Sequence, residues 1–146
     1  MIDAVAAALG FGSGWGSKAL ARAVSEGKRK AKVAALSEPV ARALEQAGHE
    51  ALRATLENGR LSLEDACTDA LCASGLPPPE VAAQVLSECA RVVRDGGRVL
   101  VATTAGLARR GPDRQLVAAL FAHAGLVDLE QRMIRGTVIT SGRVRR

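Results

Sequence analysis

Gly10, Gly12 and Gly14 occupy alternate positions in the run Gly10-Phe-Gly-Ser-Gly-Trp-Gly16, directly after an apolar stretch at residues 4–9. Glycines at that spacing let the backbone press against a bound group with no Cβ in the way. The same spacing also suits a flexible turn that binds nothing. The other chemistry-bearing residues stand apart from one another. Cys67, Cys72 and Cys89 are odd in number and contain no C-x-x-C pair, which argues against a zinc site or a disulfide framework. They read as small core hydrophobes. His49 follows Gly48, and His123 lies near the end of an expected helix; neither has a His, Cys or carboxylate partner at ligand spacing. Both read as solvated or helix-end histidines. Trp15, the one tryptophan, sits inside the glycine run, where it either stacks on a flat ligand or fills the space such a ligand would take.

Composition narrows the classes. At 146 residues and 48% apolar content the chain makes one globular domain, residues 1–146, able to bury a core without disulfides. Its longest apolar run, residues 116–122, is too short for the roughly 20 residues of a membrane-spanning helix. Asp3 stands where a secretory leader needs basic residues, and no Lys or Arg precedes Lys18, so a cytoplasmic location is expected. Aromatic content is only 2%, which leaves few platforms for stacking single-stranded nucleic acid. Charge is unevenly spread. Residues 1–36 carry six basic and two acidic side chains, residues 37–95 five and ten, and residues 96–146 nine and three. The Lys28-Arg29-Lys30 run reads as a solvated turn.

The elements that position these residues alternate between strand and helix from start to finish. Residues 4–9 read as a first strand, and Ser17 caps a helix to Glu26 that Gly27 ends. Residues 31–36 follow as a second strand. Ser37 and Pro39 start a helix to Ala47, and residues 51–56 form a weak third strand. Residues 69–74 are a fourth strand. Residues 80–94 repeat apolar side chains at helical spacing and stop at Asp95-Gly96-Gly97. Residues 98–103 are a buried strand and 112–124 another helix, and strands 127–133 and 137–140 flank the turn at Arg135-Gly136. Continuous apolar strands alternating with helices imply a mostly parallel sheet covered on both faces.

In this order and with these joints, the chain resembles the class I S-adenosylmethionine-dependent methyltransferases along essentially its whole length. The stretch Arg91-Val-Val-Arg-Asp-Gly-Gly-Arg-Val-Leu-Val101 is similar to the family's helix, Gly-Gly turn and fifth strand. Residues 61–71 resemble the entry to the fourth strand, with Asp69 in the usual aspartate position. Residues 124–130 resemble the end of the last helix entering the sixth strand, and residues 137–144 a seventh strand inserted antiparallel. The resemblance implies an α/β, Rossmann-like domain with a mostly parallel seven-stranded sheet and an antiparallel C-terminal hairpin. It makes Gly10, Gly12 and Gly14 the loop that contacts the methionine part of the cofactor. Glu57, after the third strand, is the candidate acid near the adenine.

The chain departs from the family's pattern at its acids. Ala8 stands two positions before the first glycine, and Ala35 ends the second strand, where the family carries an acid that accepts the ribose hydroxyls. Losing two such charge-assisted bonds would weaken binding by roughly 3–6 kcal/mol, about a hundred- to ten-thousand-fold. Ser74-Gly75-Leu76-Pro77-Pro78-Pro79 lacks the polar residue and the aromatic that flank the Pro-Pro of amino-directed methyltransferases. With the first strand beginning almost at Met1, no N-terminal cover over the site is expected. The resulting expectation is a non-catalytic methyltransferase-like domain with no cofactor, similar in kind to the N-terminal domain of anamorsin and acting as a protein-interaction module. The alternative is a working S-adenosylmethionine-dependent methyltransferase of unassigned substrate. For the module, a protein partner or a homo-oligomer is favoured over nucleic acid. Arg143, Arg145 and Arg146 are its candidate contact residues, because Arg suits planar carboxylate partners and terminal arginines are expected to be exposed.

Overall fold

Among the described residues Ser17–Gly27 forms the first helix, α1, because Ala19, Leu20, Ala21 and Val24 share one buried stripe. The computed structural model describes residues 16–27, 30–75, 77–104, 114–134 and 136–146. The expected first strand at residues 4–9, the glycines Gly10, Gly12 and Gly14, and Ala8 and Trp15 all lie outside the described residues.

Strand β1 (Lys32–Ala35) leads to α2 (Glu38–Gln46). The Ser37 Oγ caps that helix by accepting from the Val40 N–H at 3.4 Å, and Pro39 sits in its first turn, as its sequence signals require. Strand β2 (Glu50–Arg53) ends earlier than expected. The chain then turns at Asn58 and Gly59, both at positive φ, into a separate hairpin of β3 (Leu56–Glu57) and β4 (Arg60–Leu61). Asn-Gly is the strongest two-residue hairpin signal, and it draws Leu56 out of the expected third strand into this hairpin.

Strand β5 (Thr68–Ser74), helix α3 (Pro79–Val92), strand β6 (Val93–Thr104), helix α4 (Arg114–His123) and the hairpin β7 (Val127–Ile134) and β8 (Thr137–Arg143) complete the chain. The main sheet has six described strands in the order β2-β1-β5-β6-β8-β7. Pairing is parallel from β2 to β6 and antiparallel from β6 through β8 to β7. This is the expected mostly parallel sheet with an antiparallel C-terminal hairpin. Its count is six rather than seven among the described residues.

Period-two alternation divides the sheet between two cores. Val33, Ala35, Ala70, Cys72, Leu100 and Ala102 face α1 and α2. Ala34, Leu71, Ala73, Val99 and Val101 face α3 and α4. Cys72 and Cys89 are buried, as expected of core hydrophobes, and burial pushes the Cys89 thiol up to about 12. No described helix is long and apolar enough to cross a membrane.

His49 corrects the reading of a solvated histidine, being only 5% exposed. Its Nδ1 accepts from the Ala31 N–H at 3.0 Å. The remaining ring proton therefore sits on Nε2, which lies 2.9 Å from Ser25 Oγ, and that hydroxyl donates to the Ala21 carbonyl at 2.9 Å. The imidazole thus ties α1, the entry to β1 and the start of β2 together. Burial lowers its pKa below the ordinary histidine value, because the charged form would lose water.

Candidate functional site

In doubly wound sheets ligands bind beyond the carboxyl ends of the strands, at the point where strand order reverses. Here that end is formed by the last residues of β1, β2, β5 and β6 and the first turn of α1. Gly16 sets α1 in place. At φ +74°, a Cβ on it would stand 2.9 Å from the Ala102 Cβ and 3.2 Å from the Thr137 Cγ2, so only glycine lets the helix start against β6 and β8. A cavity of about 440 Å³ opens there, lined by Gly16, Ser17, Lys18, Ala19, Arg22, Ile134 and Thr137.

The end of β1 carries no carboxylate. Ala35 is 1% exposed and packs into the core shared with α1 and α2. The nearest acids in sequence are engaged elsewhere. Arg53, at the end of β2, donates from Nε and Nη2 to Glu38 at 2.6 and 2.9 Å, and from Nη1 and Nη2 to Glu45 at 3.1 Å each. That fork holds both carboxyls below their usual range.

The centre of the sheet also departs from the doubly wound order, in which the chain's first strand lies between the second and the fourth. Here the strands in those two places, β1 and β5, pair directly, with Val33 opposite Ala70, Ala34 opposite Leu71 and Ala35 opposite Cys72. A strand entering between them would have to break that ladder. Among the described residues at this end, β1 pairs directly with β5 and Ala35 stands where the family carries its ribose-binding acid.

The other sequence candidates fall apart in space. Glu57 is exposed in the β3–β4 hairpin opposite Arg60. That hairpin docks on α3 through the Leu61 N–H, which donates to Glu88 at 2.8 Å. Arg143 and Arg145 both approach Asp128, at 3.4 and 3.6 Å. Arg146, exposed as expected of a terminal arginine, is nonetheless engaged. Its Nη2 donates to the carbonyls of Ala90, Arg91 and Val93 at 2.7 to 3.0 Å, capping the end of α3. Sequence reasoning missed this role and that of Arg91, whose guanidinium binds Asp65, Glu88 and the Leu61 and Leu63 carbonyls. A basic residue in the last turn of α3 is the sequence signal for Arg91, whereas Arg146 lies too far along the chain for any local signal to mark it. Among the described residues no cluster of His, Cys, Asp or Glu could hold a metal ion.

Residues 7–101 match the family model described as a methyltransferase domain. The chain belongs to the class I S-adenosylmethionine-dependent methyltransferase family. No curated protein sequence matches it. Solved structures similar to this methyltransferase-family chain include a possible exported protein from Bordetella parapertussis, at TM-score 0.63 and 12% identity, covering 89% of this chain and 67% of that one. Another is an S-adenosylmethionine-dependent methyltransferase from Thermotoga maritima, a possible histamine N-methyltransferase, at TM-score 0.55 and 12% identity, covering 90% and 89%. A third is the 1,6-didemethyltoxoflavin-N1-methyltransferase of Burkholderia thailandensis with bound S-adenosylhomocysteine, at TM-score 0.57 and 14% identity, covering 91% and 78%. At such identities the structures share the methyltransferase fold with this chain.

Proposed function

We propose that this methyltransferase-family domain does not turn over S-adenosylmethionine and works as a protein-interaction module. The observation that carries the reading is the direct β1–β5 ladder, which ends at a buried Ala35 in place of a ribose-binding acid. Methyl transfer needs an ordered, water-excluding, in-line geometry. The opening at the site end is lined, among the described residues, by the cations Lys18 and Arg22 and by no carboxylate. For the interaction role, support comes from the surface. Arg145 keeps 65% of its side chain exposed while sharing Asp128 with Arg143, leaving cationic surface in a chain whose residues 37–95 are acidic, a pairing suited to an acidic protein or a second copy.

A working methyltransferase is the second reading, favoured by a family match that includes Gly10, Gly12 and Gly14, and by the Burkholderia relative's bound S-adenosylhomocysteine. A thermal-shift titration separates the two. A ligand at a hundred times its Kd stabilises a fold by about 2.7 kcal/mol, which is roughly 5–10 °C for a domain of this size. The proposal expects no shift with S-adenosylhomocysteine, and a shift of that order overturns it.

A further inference from the structure

At the opposite end of the sheet from the family's cofactor end, the last turn of α1 and the first residues of β5 border a cavity of about 240 Å³. Its apolar walls include Ala23, Val24 and Leu100. Arg98 and Arg143 also line it, and they stand directly opposite each other in the β6–β8 ladder. Opposed residues share a face, here the α1 side that also carries Leu100 and Ile139. Like charges in that relation repel. Carboxylates of the chain offset the repulsion only at long range: Glu130 lies 3.5 Å from Arg98 Nη1, and Asp128 lies 3.4 Å from Arg143 Nη1. Arg143 Nε is buried with no hydrogen-bond partner among the described residues. Buried donors in native folds nearly always have an acceptor, so this one calls for a ligand oxygen. Asp69, the one acid on the cavity wall among the described residues, is engaged elsewhere. It accepts from the Lys32 N–H at 2.9 Å and pairs with Arg94 at 3.1 Å.

We propose that this cavity binds the phosphate group of a small phosphate monoester, whose organic part rests against Ala23, Val24 and Leu100. Such a phosphate carries roughly −1.5 to −2 charge near pH 7 and three acceptor oxygens. One group therefore answers both guanidinium charges and supplies an acceptor for Arg143 Nε, whereas a carboxylate answers one charge. Guanidinium forks match phosphate oxygens in geometry as well as in charge. Asp128 and Glu130 are the side chains the phosphate displaces. Asp128 keeps Arg145, at 3.6 Å, when it gives up Arg143. The site lies apart from the cofactor end, so it is independent of whether S-adenosylmethionine binds.

Isothermal titration of the full chain with phenyl phosphate, inorganic phosphate and acetate, at constant ionic strength, tests the site. The expected result is one-to-one binding of phenyl phosphate, about ten-fold tighter than inorganic phosphate because the ring meets the apolar wall. Acetate should bind at least about ten-fold more weakly than phenyl phosphate. Arg143→Gln and Arg98→Gln change side chains that are 42% and 39% exposed. Each should weaken phenyl phosphate about ten-fold or more, with an unchanged circular dichroism spectrum, through loss of charge-assisted bonds. The double variant Asp128→Asn with Glu130→Gln should tighten binding several-fold by removing the competing carboxylates, a gain that misfolding cannot produce. Asn suits the positive φ of position 128 as Asp does. Absence of saturable heat with phenyl phosphate overturns the proposal. Binding that neither arginine variant weakens also overturns it, since the anion then sits on another basic surface, as does acetate binding as tightly as phenyl phosphate.

Discussion

Replacing His49 with alanine should destabilise the domain by about 2–4 kcal/mol. The buried Ala31 N–H would lose its acceptor, which costs about 1–3 kcal/mol for an unsatisfied donor, and removal of the ring would leave a cavity beside Ser25. Ser25 keeps its bond to the Ala21 carbonyl, so its share is small. For a domain of this size that loss lowers Tm by roughly 6–12 °C. His49→Asn should cost less, since its Oδ1 can stand near the Nδ1 position and keep the Ala31 bond. The same histidine sets a pH dependence. Its folded pKa lies below the ordinary 6.5, so the unfolded chain takes up the proton first as pH falls. Its contribution is complete above 6.5 and is lost as pH drops from there towards the folded pKa, by up to about 1.4 kcal/mol per unit. Urea unfolding at pH 7.5 and 5.5, on the unaltered chain and on His49→Asn, measures both effects. The glutamates held by arginines titrate below this window and leave it undisturbed. Equal pH dependence in the two proteins refutes the reasoning, as does a His49→Ala variant within 0.5 kcal/mol of the unaltered chain, about the size of a neutral surface change.

Gly97→Ala should abolish soluble expression or cost more than about 3 kcal/mol, because the new methyl would sit 2.3 Å from the Asp69 carbonyl oxygen and 2.5 Å from Val93 Cγ1. Arg91→Met should cost about 2–4 kcal/mol and make residues 54–67 the first site of limited proteolysis, since Glu88, 12% exposed, would lose its partner. Arg145→Glu should leave urea stability unchanged within about 0.5 kcal/mol, since only a 3.6 Å exposed pair is altered, and should weaken any salt-sensitive association seen by sedimentation. Arg146 is the wrong residue for that test, because its charge caps α3.

Helices and core strands were legible because their signals are local: Ser37 before Pro39, and the apolar run at residues 98–103, which lies within β6. The third strand was misread because Leu56 extends its apolar run, while Asn58-Gly59 turns the chain away. His49 was misread because its partners, Ser25 and Ala31, are 24 and 18 residues distant, beyond any spacing rule. The missing acid at Ala35 was visible in the sequence. The β1–β5 ladder was not, since strand neighbours in a parallel sheet are chosen by tertiary packing rather than by pattern.

Isothermal titration of the full chain with S-adenosylhomocysteine tests the central claim most directly. Loss of the ribose acid alone predicts an affinity weakened about a hundred-fold or more, and the closed ladder adds to that. The account predicts no saturable heat up to millimolar ligand. A one-to-one isotherm with a micromolar Kd would contradict it.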